Sequence, residues 1–131
     1  MQRLYTDNRR ENERLLRSEI DSNDVVLIED YVPTGIAWGV AKGLDMQKLL
    51  DINSGLIIPD KTILLIGARY LDSIETGHKY ETDSSAWDKV NTIFMDLAKA
   101  NEWPIIDASQ KVKKVTKEIL NIVEELLLQK V

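Results

Sequence analysis

The sequence predicts an α/β fold in three layers, with a parallel sheet between flanking helices. Three short segments, at residues 25–28, 62–66 and 103–107, are predicted to be strands. The first two are apolar runs without alternation, which favours parallel strands covered on both faces. Amphipathic helical patterns separate these segments along the chain. A length of 131 residues suits one domain with a modest core, so we expect a single domain over residues 1–131.

Composition narrows the classes of function. With 17 basic and 22 acidic residues the net charge is −5, which disfavours a general nucleic-acid binder. The absence of cysteine excludes disulfides and thiolate metal sites and favours a reducing compartment. No signal peptide and no membrane-length apolar run occurs, so we expect a cytoplasmic protein without a membrane partner.

The opening stretch, residues 2–20, is charge-rich and lacks glycine and proline, which favours a helix. We expect a narrow buried stripe formed by Leu4, Leu15, Leu16 and Ile20. Glu29 and Asp30 directly follow the predicted strand at residues 25–28. Ligand sites in open α/β sheets lie beyond the carboxyl ends of strands, so these carboxylates are candidates for chemistry. The alternative is a solvated strand end.

Proline and glycine divide the next stretch. Residues 33–35, Pro-Thr-Gly, are expected to break regular structure, and residues 35–41 to form a short helix ending near Gly43. Asp45 is placed to cap the following helix, whose apolar face consists of Met46, Leu49, Leu50 and Ile52. The Asn-Ser-Gly turn at residues 53–55 ends that helix.

The second half of the chain contains the other two strands, at residues 62–66 and 103–107. Residues 69–84 between them are polar, with a brief helix expected near residues 70–75, and we interpret this stretch as a mobile loop or lid. Ser84 or Ser85 is expected to cap a helix to about residue 101, with one face formed by Trp87, Val90, Ile93, Phe94 and Leu97. Ser109 is expected to start a last helix that packs on the sheet through Val112, Val115, Ile119, Ile122, Val123 and Leu126.

Five motifs in order resemble the C-terminal part of a thymidylate kinase, a nucleoside monophosphate kinase of the P-loop class. They are LYTDNRRENERL, with an aromatic residue before Asn-Arg-x-Glu; IEDYVPTGIAWG, similar to the family's Asp-Arg-Tyr, Ser or Thr, Gly and small-aromatic pair; GLDMQKLLDINSGLIIPDKTILL; GHKYE; and IIDAS. The resemblance covers nearly the whole chain. It implies a P-loop-kinase-like parallel sheet and phosphoryl transfer from ATP to dTMP with Mg²⁺.

The resemblance assigns the base-binding roles to the first helix. Tyr5 would stack on the thymine ring and Arg9 would donate hydrogen bonds to the edge of the base, which suits an aromatic face and a guanidinium fork. Their spacing of four places both on one helix face. From the residues alone, the alternative is that Tyr5 is half-buried packing and Arg9 is one more helix charge.

Other pocket residues follow from the same resemblance. Thr34, Gly35 and Trp38 would form part of the dTMP pocket wall, although Trp38 is equally credible as core. Tyr80 and Glu81 match the lid residues that close over the sugar of the monophosphate. Lone His78 is most simply a solvated loop residue, since nothing near it in sequence would orient it as a base or ligand.

The paired acids show the sharpest departure from the family. Glu29 stands in the place of the family's catalytic Asp near the phosphates and Mg²⁺, and Asp30 replaces an Arg that clamps phosphate. Phosphoryl transfer depends on cations that neutralise the transferring oxygens, so an Asp there opposes that role. A shift of one residue would place Asp30 on the family Asp instead and lose the Tyr match.

The sequence contains no GxxxxGKS or GxxxxGKT motif, whereas in the family a phosphate-binding loop and its strand precede the opening helix. At least about 30 residues, one βα unit, are therefore expected to be missing. The strands at residues 25–28 and 62–66 would then flank an empty slot, with each unpaired buried backbone group costing roughly 1–3 kcal/mol. Either these strands pair directly, or a separate P-loop-bearing chain fills the slot, or the chain is a remnant or begins at a misassigned start.

Three functions stay open on this reasoning: half of a dTMP kinase that needs a P-loop partner, a nucleotide-binding module without catalysis, or a structural remnant. The isolated chain is expected to be inactive. Since the family commonly dimerises through the helix that opens this chain, we also expect a homodimer.

Overall fold

The computed structural model describes residues 1–67 and 82–130 and confirms an α/β chain. Its elements in order are α1 (Gln2–Ser22), α2 (Val32–Ala41), α3 (Met46–Ile52), β1 (Leu64–Ile66), α4 (Thr82–Asn101), β2 (Ile105–Asp107) and α5 (Val112–Gln129). These elements fall into two compact units, Met1–Ile58 and Pro59–Val131. Among the described residues, none of the helices combines the length and apolar character that crossing a bilayer requires.

Helix α1 forms as predicted, but its buried stripe is not the apolar one. Leu4 is 72% exposed and Leu15 is 62% exposed, so both face solvent within the Met1–Ile58 unit. The positions that are buried or half-buried recur at intervals of four and three and are Gln2, Thr6, Arg9, Glu13 and Leu16. A mostly polar face is turned inward because α3 and the loop after it offer hydrogen-bonding partners to it.

The predicted strand at residues 25–28 is wrong. These residues have no regular secondary structure, and Leu27 is 77% exposed. A strand needs a neighbour to complete its ladder of hydrogen bonds, and the described Met1–Ile58 unit contains no strand at all. Although its composition is apolar and rich in β-branched residues, this segment therefore has no sheet to join within its own unit.

The expected break at residues 33–35 is also wrong, because α2 begins at Val32 and includes all three residues. Proline is tolerated in the first turn of a helix, where its missing N–H would have no partner in any case. Helix α3 starts as predicted, since the Asp45 carboxylate accepts a hydrogen bond from the Lys48 backbone N–H at 3.1 Å.

The second unit is built on a two-stranded parallel sheet. β1 pairs with β2 in the register Leu64 to Ile105, Leu65 to Ile106 and Ile66 to Asp107, so the second and third predicted strands form in shortened versions. One face of β1 is covered by α4 in a cluster whose members are Leu64, Ile66, Phe94, Met95, Ala98 and Trp103. Leu65 points the other way and is 48% exposed, so the expected cover on both faces is not seen along β1.

Helix α4 begins at Thr82, before the predicted cap at Ser84 or Ser85. Of its predicted apolar face, Val90 is fully buried, whereas Trp87 is 53% exposed. Helix α5 lies against β2 as predicted but begins at Val112 rather than at Ser109. Val112 was predicted to pack on the sheet and is instead 81% exposed, because it lies at the start of the helix. The Ser109 hydroxyl and backbone N–H, the latter at 2.9 Å, instead both donate to the Asp107 carboxylate and close a local turn. The hydroxyl first and the N–H second lower the pKa of Asp107. The predicted lid helix at residues 70–75 lies outside the described residues, as do Tyr80, Glu81 and His78.

Helices α2 and α3 approach closely at Gly39. A Cβ atom added there would lie 2.6 Å from Cδ1 of Leu49, a side chain that is itself buried. A contact that short requires the Leu49 side chain or one of the two helices to shift, and the buried Leu49 has little room to move in a packed interior. Glycine at position 39 therefore sets the spacing between the two helices.

We predict that Gly39→Ala destabilises the protein. Overpacking costs about 1–3 kcal/mol, against a gain in helix propensity of about 1 kcal/mol, so the net loss is up to about 2 kcal/mol. Urea unfolding followed by circular dichroism measures it. Gly67→Ala is the control for a glycine with open space around it, since a Cβ there meets no atom of the described residues within 4 Å and stability should change little. A Gly39→Ala protein more stable than wild type would contradict the close approach.

Candidate functional site

A polar cluster lies where α1 meets the beginning of α2 and the end of α3. Its centre is the Arg9 guanidinium, which is partly buried. Nη1 of Arg9 donates to Oδ1 of Asn53 at 3.2 Å, and Nη2 donates to the backbone carbonyl of Tyr31 at 3.4 Å. Two protein acceptors on different segments thus hold the guanidinium plane at a fixed place on the helix face.

Burial lowers the pKa of Arg9, and the nearby Tyr31 acts in the opposite direction. An arginine does not give up its proton in proteins, so the cluster holds a permanent positive charge that is partly shielded from water. Such a group gains more from an added acceptor than one in bulk solvent does. Arg9 is therefore suited to recognising a carbonyl or other electron-rich ligand atom.

Asn53 orients this cluster, and sequence reasoning assigned it only to a helix-ending turn. Its side chain is nearly buried, at 8% exposure, and Nδ2 donates to the Leu49 carbonyl at 2.8 Å. Oδ1 must then face α1, where Oγ1 of Thr6 lies 3.2 Å away as a second donor beside Arg9. No local motif could have identified the role, because Asn53 and Arg9 are 44 positions apart.

Gly35 makes room for the guanidinium. A Cβ atom at this position would lie 2.7 Å from Nη2 of Arg9 and 3.2 Å from Nη1. Gly35 is buried in the first half of α2, so a larger residue there would displace the arginine. The structure thus brings together two of the predicted pocket residues, Arg9 and Gly35.

Tyr5 lies one turn before Arg9 on α1 and is 49% exposed, which leaves much of its ring surface open. Trp38 is half-buried on α2. Tyr80 and Glu81 belong to the residues that the structure does not describe, so their predicted roles stay predictions.

The two acids of the loop before α2 are exposed. Asp30 has a left-handed backbone with φ of 53°, which aspartate tolerates better than most residues, and its carboxylate accepts a hydrogen bond from Oγ1 of Thr34 at 3.3 Å. Glu29 and Asp30 supply two neighbouring carboxylates, but residues 1–67 and 82–130 contain no group of three or more acidic or histidine side chains close enough to hold a metal ion. A protein-only metal cage is therefore absent from the described chain.

Two further side chains of α1 hold the loop that follows α3. Nη2 of Arg10 donates to the carbonyls of Ile52 at 2.6 Å and Ser54 at 2.9 Å. The Glu13 carboxylate accepts from the Ile57 backbone N–H at 2.9 Å. These bonds satisfy backbone groups at a helix end, and they keep Asn53 against Arg9.

Tyr31 places a titratable group beside the cluster. Burial raises the pKa of the Tyr31 phenol, Glu13 raises it further, and Arg9 and Arg17 lower it. The net effect is a phenol that holds its proton more tightly in the folded protein than in the unfolded chain.

Comparison with known proteins points to one family. The sequence profile of thymidylate kinase matches residues 1–119. A protein of Invertebrate iridescent virus 6, provisionally named thymidylate kinase 251L, is 30% identical over 128 residues, covering 96% of this chain and 60% of the viral protein. No solved structure matches significantly.

Two cellular proteins show the same relationship. The thymidylate kinase of Symbiobacterium thermophilum is 30% identical over 125 residues, covering 87% of this chain and 58% of the bacterial protein. The thymidylate kinase of Arabidopsis thaliana is 26% identical over 121 residues, covering 92% of this chain and 46% of the plant protein. The chain thus spans about half to three-fifths of the length of these relatives.

The raised pKa of Tyr31 predicts a pH dependence. Because the folded state binds the phenol proton more tightly, the stability from this group is complete below the ordinary pKa of 10.0 and is lost as pH rises through the higher folded value. We expect Tyr31→Phe to change stability by a constant amount between pH 7 and 9, and to gain on wild type above pH 10. Urea unfolding of both proteins at each pH measures the difference. A difference that stays constant to pH 11 would contradict the assignment.

Proposed function

Since the chain belongs to the thymidylate kinase family, we propose that the cluster around Arg9 is the base-binding part of a dTMP site. We propose that this site serves the family reaction, which is phosphoryl transfer from ATP to dTMP. The observation that carries the proposal is the Arg9 guanidinium, held by Asn53 and Tyr31 in the space that Gly35 leaves open.

The base would be recognised by α1. Arg9 has five N–H groups, of which two donate to the acceptors described above, and the others are suited to a carbonyl on the edge of thymine. The exposed ring of Tyr5, one turn away, would supply a stacking surface. Thr34, Gly35 and Trp38 of α2 would form the wall, and Tyr80 and Glu81 the part of the lid over the sugar.

The phosphate end would lie at the loop before α2. Mg²⁺ is commonly held by one or two carboxylates together with waters and substrate phosphates, so the exposed Glu29 fits the role of its ligand although no complete protein cage exists among the described residues. Bound there, Mg²⁺ would neutralise charge on the phosphate oxygens. Asp30 bonds Thr34 and has no positive charge to offer the phosphate, so a cation from elsewhere must do that work.

ATP binding is proposed to depend on sequence that these 131 residues do not contain. No GxxxxGKS or GxxxxGKT occurs among them, so a P-loop segment, in a partner chain or in further sequence, would hold the ATP phosphates. We place β1 and β2 in the three-layer parallel sheet of a P-loop kinase, to which that segment would add a strand. Composition favours the cytoplasm.

Self-association is proposed through α1. The side chains of Met1, Leu4 and Leu15 are largely exposed within the Met1–Ile58 unit and offer an apolar surface to a second copy.

The alternative functions, a nucleotide-binding module without catalysis or a structural remnant, differ from a half-enzyme in what they bind and transfer. The next two experiments separate them.

The first experiment titrates dTMP into the chain by calorimetry. We expect measurable binding by wild type and a loss of about tenfold to hundredfold in Arg9→Ala, the worth of a hydrogen bond from a charged donor. Arg14→Ala is the matched control, because it removes the same charge from an exposed position of α1 and should bind like wild type. Circular dichroism verifies that each variant is folded. Equal, measurable heats for Arg9→Ala and wild type would overturn the assignment of Arg9, and no heat from either would leave only the structural function.

The second experiment assays phosphoryl transfer from ATP to dTMP by the purified 131-residue chain with Mg²⁺. We expect no turnover, because nothing in these residues replaces the backbone cradle and lysine of a P-loop. Product formed above the background of a Glu29→Gln variant would show that another part of the chain holds the ATP phosphates. Dependence on an added P-loop-bearing fragment would support the half-enzyme.

A further inference from the structure

We propose that Asn53 is a positioning residue that sets the base selectivity of the site by fixing Arg9. The inference rests on the proposed dTMP function, in which Arg9 contacts the base. Asn53 touches no ligand in this scheme. It acts through the arginine, at the 3.2 Å hydrogen bond between Arg9 Nη1 and Asn53 Oδ1.

The Asn53 amide has one orientation available. Nδ2 donates to the Leu49 carbonyl at 2.8 Å, a bond that an amide turned by half a rotation would lose and replace with two facing oxygens. The amide oxygen consequently faces α1, where it accepts from Arg9 and shares the single proton of the Thr6 hydroxyl with the Gln2 carbonyl. A nearly buried amide with its donor and acceptor sides both engaged is a rigid support.

The Asn53 contact fixes the rotation of the guanidinium. The Tyr31 carbonyl holds Nη2 and Asn53 holds Nη1, so the two terminal nitrogens are attached at separate points. Gly35 adds no side chain against which the guanidinium could rest, since even a Cβ there would overlap Nη2. Removing the Asn53 acceptor would leave the arginine free to turn about its remaining attachment at Tyr31.

Orientation of the guanidinium matters for choosing between pyrimidines. Thymine presents a carbonyl acceptor at the ring position where cytosine presents an amino donor. An N–H group aimed at that position favours dTMP and opposes dCMP, whereas an arginine that can turn away no longer opposes dCMP. Asn53 should therefore affect the ratio of the two affinities more than it affects the affinity for either nucleotide.

The test measures the dissociation constants of dTMP and dCMP for the full 131-residue chain and three variants by calorimetry. Asn53→Ala removes the acceptor. Asn53→Asp keeps an acceptor for Arg9 but loses the donor to Leu49, so it should be less stable yet retain selectivity. Thr6→Val removes the hydroxyl that contacts Asn53 Oδ1 and leaves the hydrogen bond between Arg9 and Asn53 in place. It shows how far a loss of stability in the cluster, by itself, changes nucleotide binding. The melting temperature of each variant is recorded.

We expect Asn53→Ala to lower the dTMP preference over dCMP about tenfold, the effect of losing one well-aimed hydrogen bond to a base edge. Thr6→Val and Asn53→Asp should keep the wild-type preference even where their melting temperatures fall. Equal weakening of both nucleotides by Asn53→Ala, with the preference unchanged, would overturn the positioning role.

Arg9→Ala separates this inference from the proposed function. If Arg9→Ala abolishes the preference and Asn53→Ala does not, the base site stands and the role of Asn53 is overturned. If wild type shows no preference, or if Arg9→Ala retains it, the base-binding assignment of Arg9 fails and the inference with it. Loss of preference in both variants supports the two together.

Discussion

The hydrogen bond between Arg9 and Asn53 is the centre of the polar junction in the Met1–Ile58 unit. It joins the first helix to the end of the third across 44 positions of sequence. Removing Asn53 would leave Nη1 of Arg9, in a partly desolvated guanidinium, without this acceptor, at a cost of roughly 1–3 kcal/mol. Arg10 and Glu13 reinforce the same junction by binding the backbone around it, so helix α1 is held mainly through polar contacts.

A polar inward face has a consequence for the rest of α1. Since Thr6, Arg9 and Glu13 occupy the side turned toward α2 and α3, the apolar Leu4 and Leu15 are left in solvent. Of these groups, Arg9 both stabilises the unit and is proposed to recognise the base. A substitution at Arg9 therefore changes both the stability of the unit and the proposed binding, and either change lowers the affinity for a nucleotide. The ratio of the dTMP and dCMP affinities distinguishes lost recognition from lost stability.

Local signals in the sequence predicted what local physics controls. The Asp45 cap, the extent of α1 and the two strands that pair in the second unit follow from propensity, capping and apolar runs. The strand at residues 25–28 failed because a ladder needs a neighbour, which no local pattern supplies. Asn53 was missed for a similar reason, as its partners are distant in sequence. The family resemblance identified Arg9 as a candidate site residue, and the structure identified the groups that hold its guanidinium.

The charges of the first unit are divided between the two ends of the proposed ligand. At the base end, a shielded guanidinium faces neutral acceptors, which suits a neutral ring. At the loop before α2, Glu29 and Asp30 are exposed acids, and two like charges there oppose a phosphate by about 1 kcal/mol each in water at 4 Å. That repulsion must be reversed by cations before phosphoryl transfer is possible. On the proposed assignment, recognition of the base would use groups of this unit, whereas chemistry on the phosphate would need positive charge brought from outside it.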